Sequence, residues 1–338
     1  MNPTTITFWR IVYFTALSMV AVLLPLYSNV GNSAAADLTE TSCSAKQVAK
    51  ISISALNGVP VVIPIANGVP VTLMLDTGAE RTVLTPEAAQ RIRAQRPHVE
   101  FDRRLRGIRE TLPMREIELE RFTIGGVPIP WRRIAVASPT LPPSFFGPLD
   151  GVLGSDSLSS FNVDIDLPRY RMILYEQSPC RNVVPEWPEP YVRIGTGRSA
   201  ADRLFFPVRI NNREIAAIID TGAARSTLSS RGAMLLGVTD AVLSRDRSIT
   251  IRGAAGESVQ ARIHRFSHME IAGAITREPE FAVTNLSLRD ADLVLGFDFV
   301  SARRIWLSYG SRRIFLSVAK DTAEAGRRTK LDTTRSPR

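Results

Sequence analysis

Cysteine is almost missing from this chain: Cys43 and Cys180 are the only two among 338 residues. Without a Cys-x-x-Cys spacing they exclude a structural zinc site and a thioredoxin-type dithiol. Two readings stay open for them, a long-range disulfide if the chain is exported or two separate thiols. Histidine is as scarce, with His98, His264 and His268. The last two are four residues apart in a strand-like stretch, which sets them far apart along the strand and argues for satisfied or solvated rings rather than ligands. Gly-x-Ser-x-Gly, a phosphate-cradling glycine loop and His-Glu-x-x-His are all absent, which removes the common serine-nucleophile, P-loop and zinc-hydrolase readings. No metal and no cofactor is expected. Lysine occurs only four times, so the formal net charge of +9 is carried by arginine. That excess is diffuse except in residues 325–338, and without a dense basic face and interleaved aromatics no nucleic-acid partner is expected.

Long apolar runs are also lacking, with one exception. Residues 11–27 form an uncharged, mostly apolar stretch behind Arg10, and Ala34-Ala35-Ala36 follows. A positive flank, an apolar middle and an A-x-A-like site make residues 1–36 a signal peptide; an uncleaved anchor over 11–27 is the alternative. Either way the body is expected outside the cytoplasm, periplasmic or secreted, touching a membrane only if the segment is retained. What remains has average globular composition, 44% hydrophobic and 22% charged, and enough length for two compact units.

The dominant signal is internal repetition. TLMLDTGAERTVL at 72–84 returns as AAIIDTGAARSTL at 216–228, 144 residues later. Arg106-Gly107 returns as Arg252-Gly253, FTIGGVPI (122–129) as MEIAGAIT (269–276), and DGVLGSD (150–156) as DLVLGFD (292–298). VVPEWPEP at 183–190 carries three prolines and reads as an extended connector. Short β-prone runs bounded by turn residues, with Asn67-Gly68 as a hairpin signal, predict an all-β fold with one or two short helices per copy. The clearest helix is expected over about 86–95, with Thr85 as cap and Pro86 at its first position; a counterpart near 230–236 ends at Gly237. The expected organisation is a first lobe at 37–183, a linker at 184–190, a second lobe at 191–320 and a basic disordered tail at 321–338.

An aspartate at the end of an apolar strand, followed by Thr-Gly, sets a carboxylate where water is scarce. Two such turns on symmetry-related units can bring Asp76 and Asp220 around one proton, because like charges that close cannot both ionise. One carboxyl then serves as base on a water and the other as acid toward a carbonyl. Thr77 and Thr221 can hydrogen-bond across to the facing copy, and Gly78 and Gly222 permit the tight turns.

LDTGAERTVL, together with Val152-Leu153-Gly154 and Val294-Leu295-Gly296, resembles the retropepsin-like aspartic protease family, over about 52–178 and 200–318. The resemblance implies closed β-barrel lobes, an active site shared between two lobes, peptide or protein substrates, and flap hairpins near Gly107 and Gly253. The first flap, RGIRETLPM, is poorer in glycine than is usual for the family. Three organisations remain open: a monomer with one intrachain dyad, a homodimer pairing like lobes, and a catalytically silent peptide-binding module of the cell envelope. In both copies an arginine (Arg81, Arg225) lies five residues after the aspartate, and an acid (Asp156, Asp298) lies two after the Val-Leu-Gly glycine. Two structural ion pairs, Arg81–Asp156 and Arg225–Asp298, are therefore expected beneath the turns.

Overall fold

A computed structural model describes residues 44–56, 59–94, 103–106, 111–131, 133–142, 148–177, 183–198, 203–286, 288 and 290–318. The apolar run at 11–27, Cys43, Cys180, His98, Gly107 and the basic tail lie outside the described residues. No helix among the described residues is long and apolar enough to cross a membrane.

The chain is mostly β with a few short helices, arranged as two similar lobes and a sheet common to both. In the first lobe Leu73–Leu75 runs parallel to Gly151–Leu153, which is antiparallel to Val83–Leu84, itself parallel to Arg133–Val136. The second lobe repeats the pattern: Arg213–Ile219 is parallel to Leu293–Leu295, Leu293–Leu295 antiparallel to Thr227–Ser229, and Thr227–Ser229 parallel to Glu280–Thr284. A parallel pair needs a long connection, and the stretch between each Asp-Thr-Gly and its Val-Leu-Gly supplies it. The registers Leu75↔Leu153 and Ile219↔Leu295 bring the end of each Asp-bearing strand to its Val-Leu-Gly. These central strands are buried on both faces, which is why they read as unbroken apolar runs.

Both expected helices follow their sequence signals and are short. Pro86–Arg91 starts at Thr85, whose hydroxyl accepts from the Ala88 amide at 3.2 Å. It stops four residues before the expected end, because Arg93 takes a left-handed φ of 51° and the helical ladder cannot continue through it. Ser230–Leu235 is capped by Ser229 and followed by Gly237 at φ 82°.

The common sheet has the order Gln47–Ser52, Arg171–Tyr175, Asn162–Asp166, Arg304–Ser308, Arg313–Ser317, Tyr191–Gly195. Each half contributes one hairpin and one edge strand, and the hairpins meet along Asn162–Asp166 and Arg304–Ser308. The expected connector has no strand or helix over 184–190, yet it is not a free tether. Val183 and Trp187 are buried with Trp306 and Phe315, and the Trp187 indole donates to Asp164 at 3.1 Å.

Candidate active site

The strands Leu73–Leu75 and Arg213–Ile219 end at Asp76 and Asp220, and each aspartate amide is held by the facing Val-Leu-Gly strand. Asp76 N donates to Leu153 O at 3.1 Å and Asp220 N to Leu295 O at 3.0 Å. Each carboxylate accepts two amides of its own turn on one oxygen. Asp76 Oδ1 receives Gly78 at 2.9 Å and Ala79 at 2.8 Å; Asp220 Oδ1 receives Gly222 and Ala223, both at 2.9 Å.

The two turns interlock. Thr77 Oγ1 donates to Ile219 O at 2.8 Å and Thr221 Oγ1 to Leu75 O at 2.6 Å. The same hydroxyls accept from the opposite threonine's amide, both at 3.2 Å. Four reciprocal bonds between buried groups tie the lobes at the base of the site. A Cβ on Gly78 would collide with the Asp220 carboxyl group, and one on Gly222 with that of Asp76. Glycine is needed there for the close approach of the opposite carboxylate.

Asp76 and Asp220 are both half-buried and hydrogen-bonded to each other. Burial, the negative charge of Asp220 and the shared hydrogen bond push the Asp76 carboxyl well above the usual carboxylate range, against the pull of the Ala79 and Gly78 amides. Burial also raises Asp220, but the bond to Asp76, its turn amides and the positive charge of Arg203 oppose that rise. At this separation the pair favours one shared proton. Such a pair can take a proton from one group while giving one to another.

The expected ion pairs are only half present. Arg81 reaches Asp156 at 3.4 Å and Glu116 at 2.9 Å. Arg225 is exposed and makes no ion pair with Asp298, so that expectation is corrected. What both lobes share instead is a hydroxyl–carboxylate clamp. Asp156 Oδ1 accepts from Thr82 N at 2.8 Å and Thr82 Oγ1 at 2.7 Å; Asp298 Oδ1 accepts from Ser226 N at 2.8 Å and Ser226 Oγ at 2.7 Å. Those hydroxyls accept in turn from Gly154 N at 3.1 Å and Gly296 N at 3.0 Å. An acid satisfied by backbone and hydroxyl donors needs no cation. The sequence signal lay in the Thr82/Ser226 pair, hydroxylic in both copies.

Gly253 opens the turn between Arg247–Arg252 and Ser258–Arg265, its amide donating to Glu257 O at 2.9 Å. The hairpin tip reaches the other lobe, where Thr140 N donates to Ala254 O at 2.8 Å. His264 is paired with Asp246 at 2.7 Å. Among the described residues no group of three His, Cys, Asp or Glu side chains is placed to hold a metal ion.

Two interlocked Asp-Thr-Gly turns at the junction of two similar β lobes define the aspartic protease class of site. The sequence comparisons give the family. Residues 59–157 match the aspartyl protease model and residues 206–302 that of the gag-polyprotein putative aspartyl protease, so the chain contains two retropepsin-like aspartyl protease domains. Among solved structures it is similar to the aspartic proteinase from Irpex lacteus, at 14% identity and a TM-score of 0.47, over 81% of this chain and 98% of that one. A search of curated protein sequences returned no match.

Proposed function

We propose that this chain is an exported aspartic endopeptidase with a single intrachain dyad, Asp76 and Asp220. The observation that carries the reading is the close approach of two half-buried carboxyls, each set against the opposite turn's glycine and held at the crossing of the Thr77 and Thr221 hydroxyl bonds. In the proposed reaction the ionised carboxylate takes a proton from water as its oxygen attacks the peptide carbonyl carbon. The protonated carboxyl gives its proton to the carbonyl oxygen, forming a gem-diol. Collapse of the gem-diol breaks the C–N bond, with the first carboxyl returning its proton to the leaving amine and the second recovering one from the diol. Pairing within one chain is supported because the two lobes are joined by a short connector, which keeps each at high effective concentration for the other. Each lobe is proposed to curl into a closed barrel, and export rests on the apolar run at 11–27 with its Ala34-Ala35-Ala36 site.

The test is digestion of a peptide library by wild type beside Asp76→Asn and Asp220→Asn. Either substitution is expected to lower cleavage by about 10²–10⁴-fold. Mixing the two variants should restore nothing. Restoration would mean that the dyad forms between chains, and full activity in both variants would leave a peptide-binding module.

A further inference from the structure

The two halves of the dyad are alike in their turns and unlike in what faces them. In the first lobe Val59–Val62 is antiparallel to Leu73–Leu75 with Val61 opposite Met74, so two steps further along the same register Val59 falls opposite Asp76. In the second lobe Phe205 lies opposite Ile218, and the same two steps set Arg203 opposite Asp220. Val59 is buried and packs with Met74, Leu149 and Val152. Arg203, with only 12% of its side chain exposed, reaches across the lobe junction to Glu80 Oε1 at 2.9 Å and lies 3.9 Å from Asp290 Oδ2. Glu80 stands four residues after Asp76; its counterpart four after Asp220 is Ala224. The whole cation–acid pair therefore exists on one side of the pseudo-twofold only.

Two identical carboxyls sharing a proton have no intrinsic preference for where it resides. A cation facing one of them supplies the preference, because it favours the ionised form of its neighbour. We propose that Arg203 is a positioning residue that localises the shared proton on Asp76 and keeps Asp220 as the ionised base. Glu80 tempers this by drawing off part of the guanidinium charge, and its half-exposed carboxylate weakens its own field at the dyad. The other charges near the turns are engaged elsewhere: Asp290 faces Arg203, Arg81 is paired with Glu116 and Asp156, and Asp298 is held by Ser226. The charge balance around Asp220 matches this, since Arg203 lowers it, while the negative charge of Asp220 raises Asp76. The inference takes its meaning from the hydrolytic reading above, but its test does not depend on turnover.

The experiment is a carboxyl ¹³C NMR titration of aspartate-labelled protein, with Asp76→Asn and Asp220→Asn supplying the assignments. In wild type Asp220 is expected to ionise at lower pH than Asp76. Arg203→Met should raise the Asp220 midpoint by about half a pH unit or more, and Arg203→Lys should restore most of the shift. Glu80→Gln, at a half-exposed site where folding is tolerant, should move it the opposite way. A purely structural brace would respond alike to loss of either partner. Same-direction shifts in Arg203→Met and Glu80→Gln, unmoved midpoints in both, or Asp76 as the earlier group to ionise would each overturn the inference. If Arg203→Met does not fold, the downward shift in Glu80→Gln decides alone. Failure of the hydrolytic reading looks different, with wild type cleaving no peptide at any pH while these midpoints still move as stated.

Discussion

At the residue scale the aspartates carry opposite obligations to stability and to chemistry. Folding raises the affinity of Asp76 for its proton, so its contribution is full below the ordinary carboxylate range and is lost as pH rises through the raised folded value. Asp76→Asn, nearly isosteric and uncharged, should therefore unfold at a higher temperature than wild type at pH 7. The advantage should disappear near pH 4, where wild type is protonated as well. Thermal melts at both values check this; an equal difference at both would contradict it. The residues following the turns, Ala79 and Ala223, offer only backbone amides to the carboxylates. Lacking a hydroxyl donor to the charged form, and with burial pushing both carboxyls upward, the dyad is expected to give its rate maximum above the unperturbed aspartate value near 4, and a peak below about pH 3 would contradict this. Ala79→Ser with Ala223→Ser should move the acidic limb downward. The clamps beneath the turns can be tested by contrast: Thr82→Val, which leaves Asp156 short of a donor, should cost about 1–3 kcal/mol in denaturant melts. Arg225→Met, at an exposed and unpaired side chain, should stay within about 0.5 kcal/mol.

At the element scale, what was legible in the sequence was local or repeated. Thr85-Pro86 marks a helix start through one hydroxyl and one fixed φ, and the helix begins there. The Asp-Thr-Gly and Val-Leu-Gly runs appear twice, and repetition alone reveals that each pair belongs together even though about 76–78 residues separate them. Less legible was anything set by tertiary approach without a sequence period. Arg93 ends its helix early without glycine or proline to announce it. Arg203 and Glu80, 123 positions apart, share no motif, and the arginines near the turns suggested pairs of which one does not form. The link from Thr140 N to Ala254 O is of the same kind. It fastens the tip of the second-lobe hairpin to the first lobe, and Thr140→Pro deletes its only donor. Amide hydrogen exchange at 253–257 should then accelerate while Leu293–Leu295 stays protected; unchanged exchange at the tip would show that the hairpin is held by its own turn.

At the scale of the whole molecule the common sheet is the feature that joins the lobes most extensively. Arg304 on one central strand forms a two-pronged pair with Asp164 on the other, at 2.9 and 2.7 Å, with its guanidinium 4.8 Å from the Trp187 ring centre. Asp164 is 1% exposed and Arg304 9%. Arg304→Met should cost about 3–5 kcal/mol, because a buried carboxylate loses its cation; a loss under about 1 kcal/mol in urea melts would contradict that. The register of the two strands has a further consequence. Asn162 faces Ser308 and Asp166 faces Arg304, symmetrically about Asp164 opposite Trp306, so the pseudo-twofold passes between those two residues. In any assembly of like with like, a residue on the axis must meet its own copy. Two first halves would bury Asp164 against Asp164 with no arginine between them, and two second halves would press Trp306 against Trp306. Only the mixed pair seats an acid beside an indole with a guanidinium to neutralise it. Divergence at this one axial position thus gives each half its own face at the seam, a carboxylate on one strand and an indole on the other, with Arg304 supplying the cation that the first half lacks.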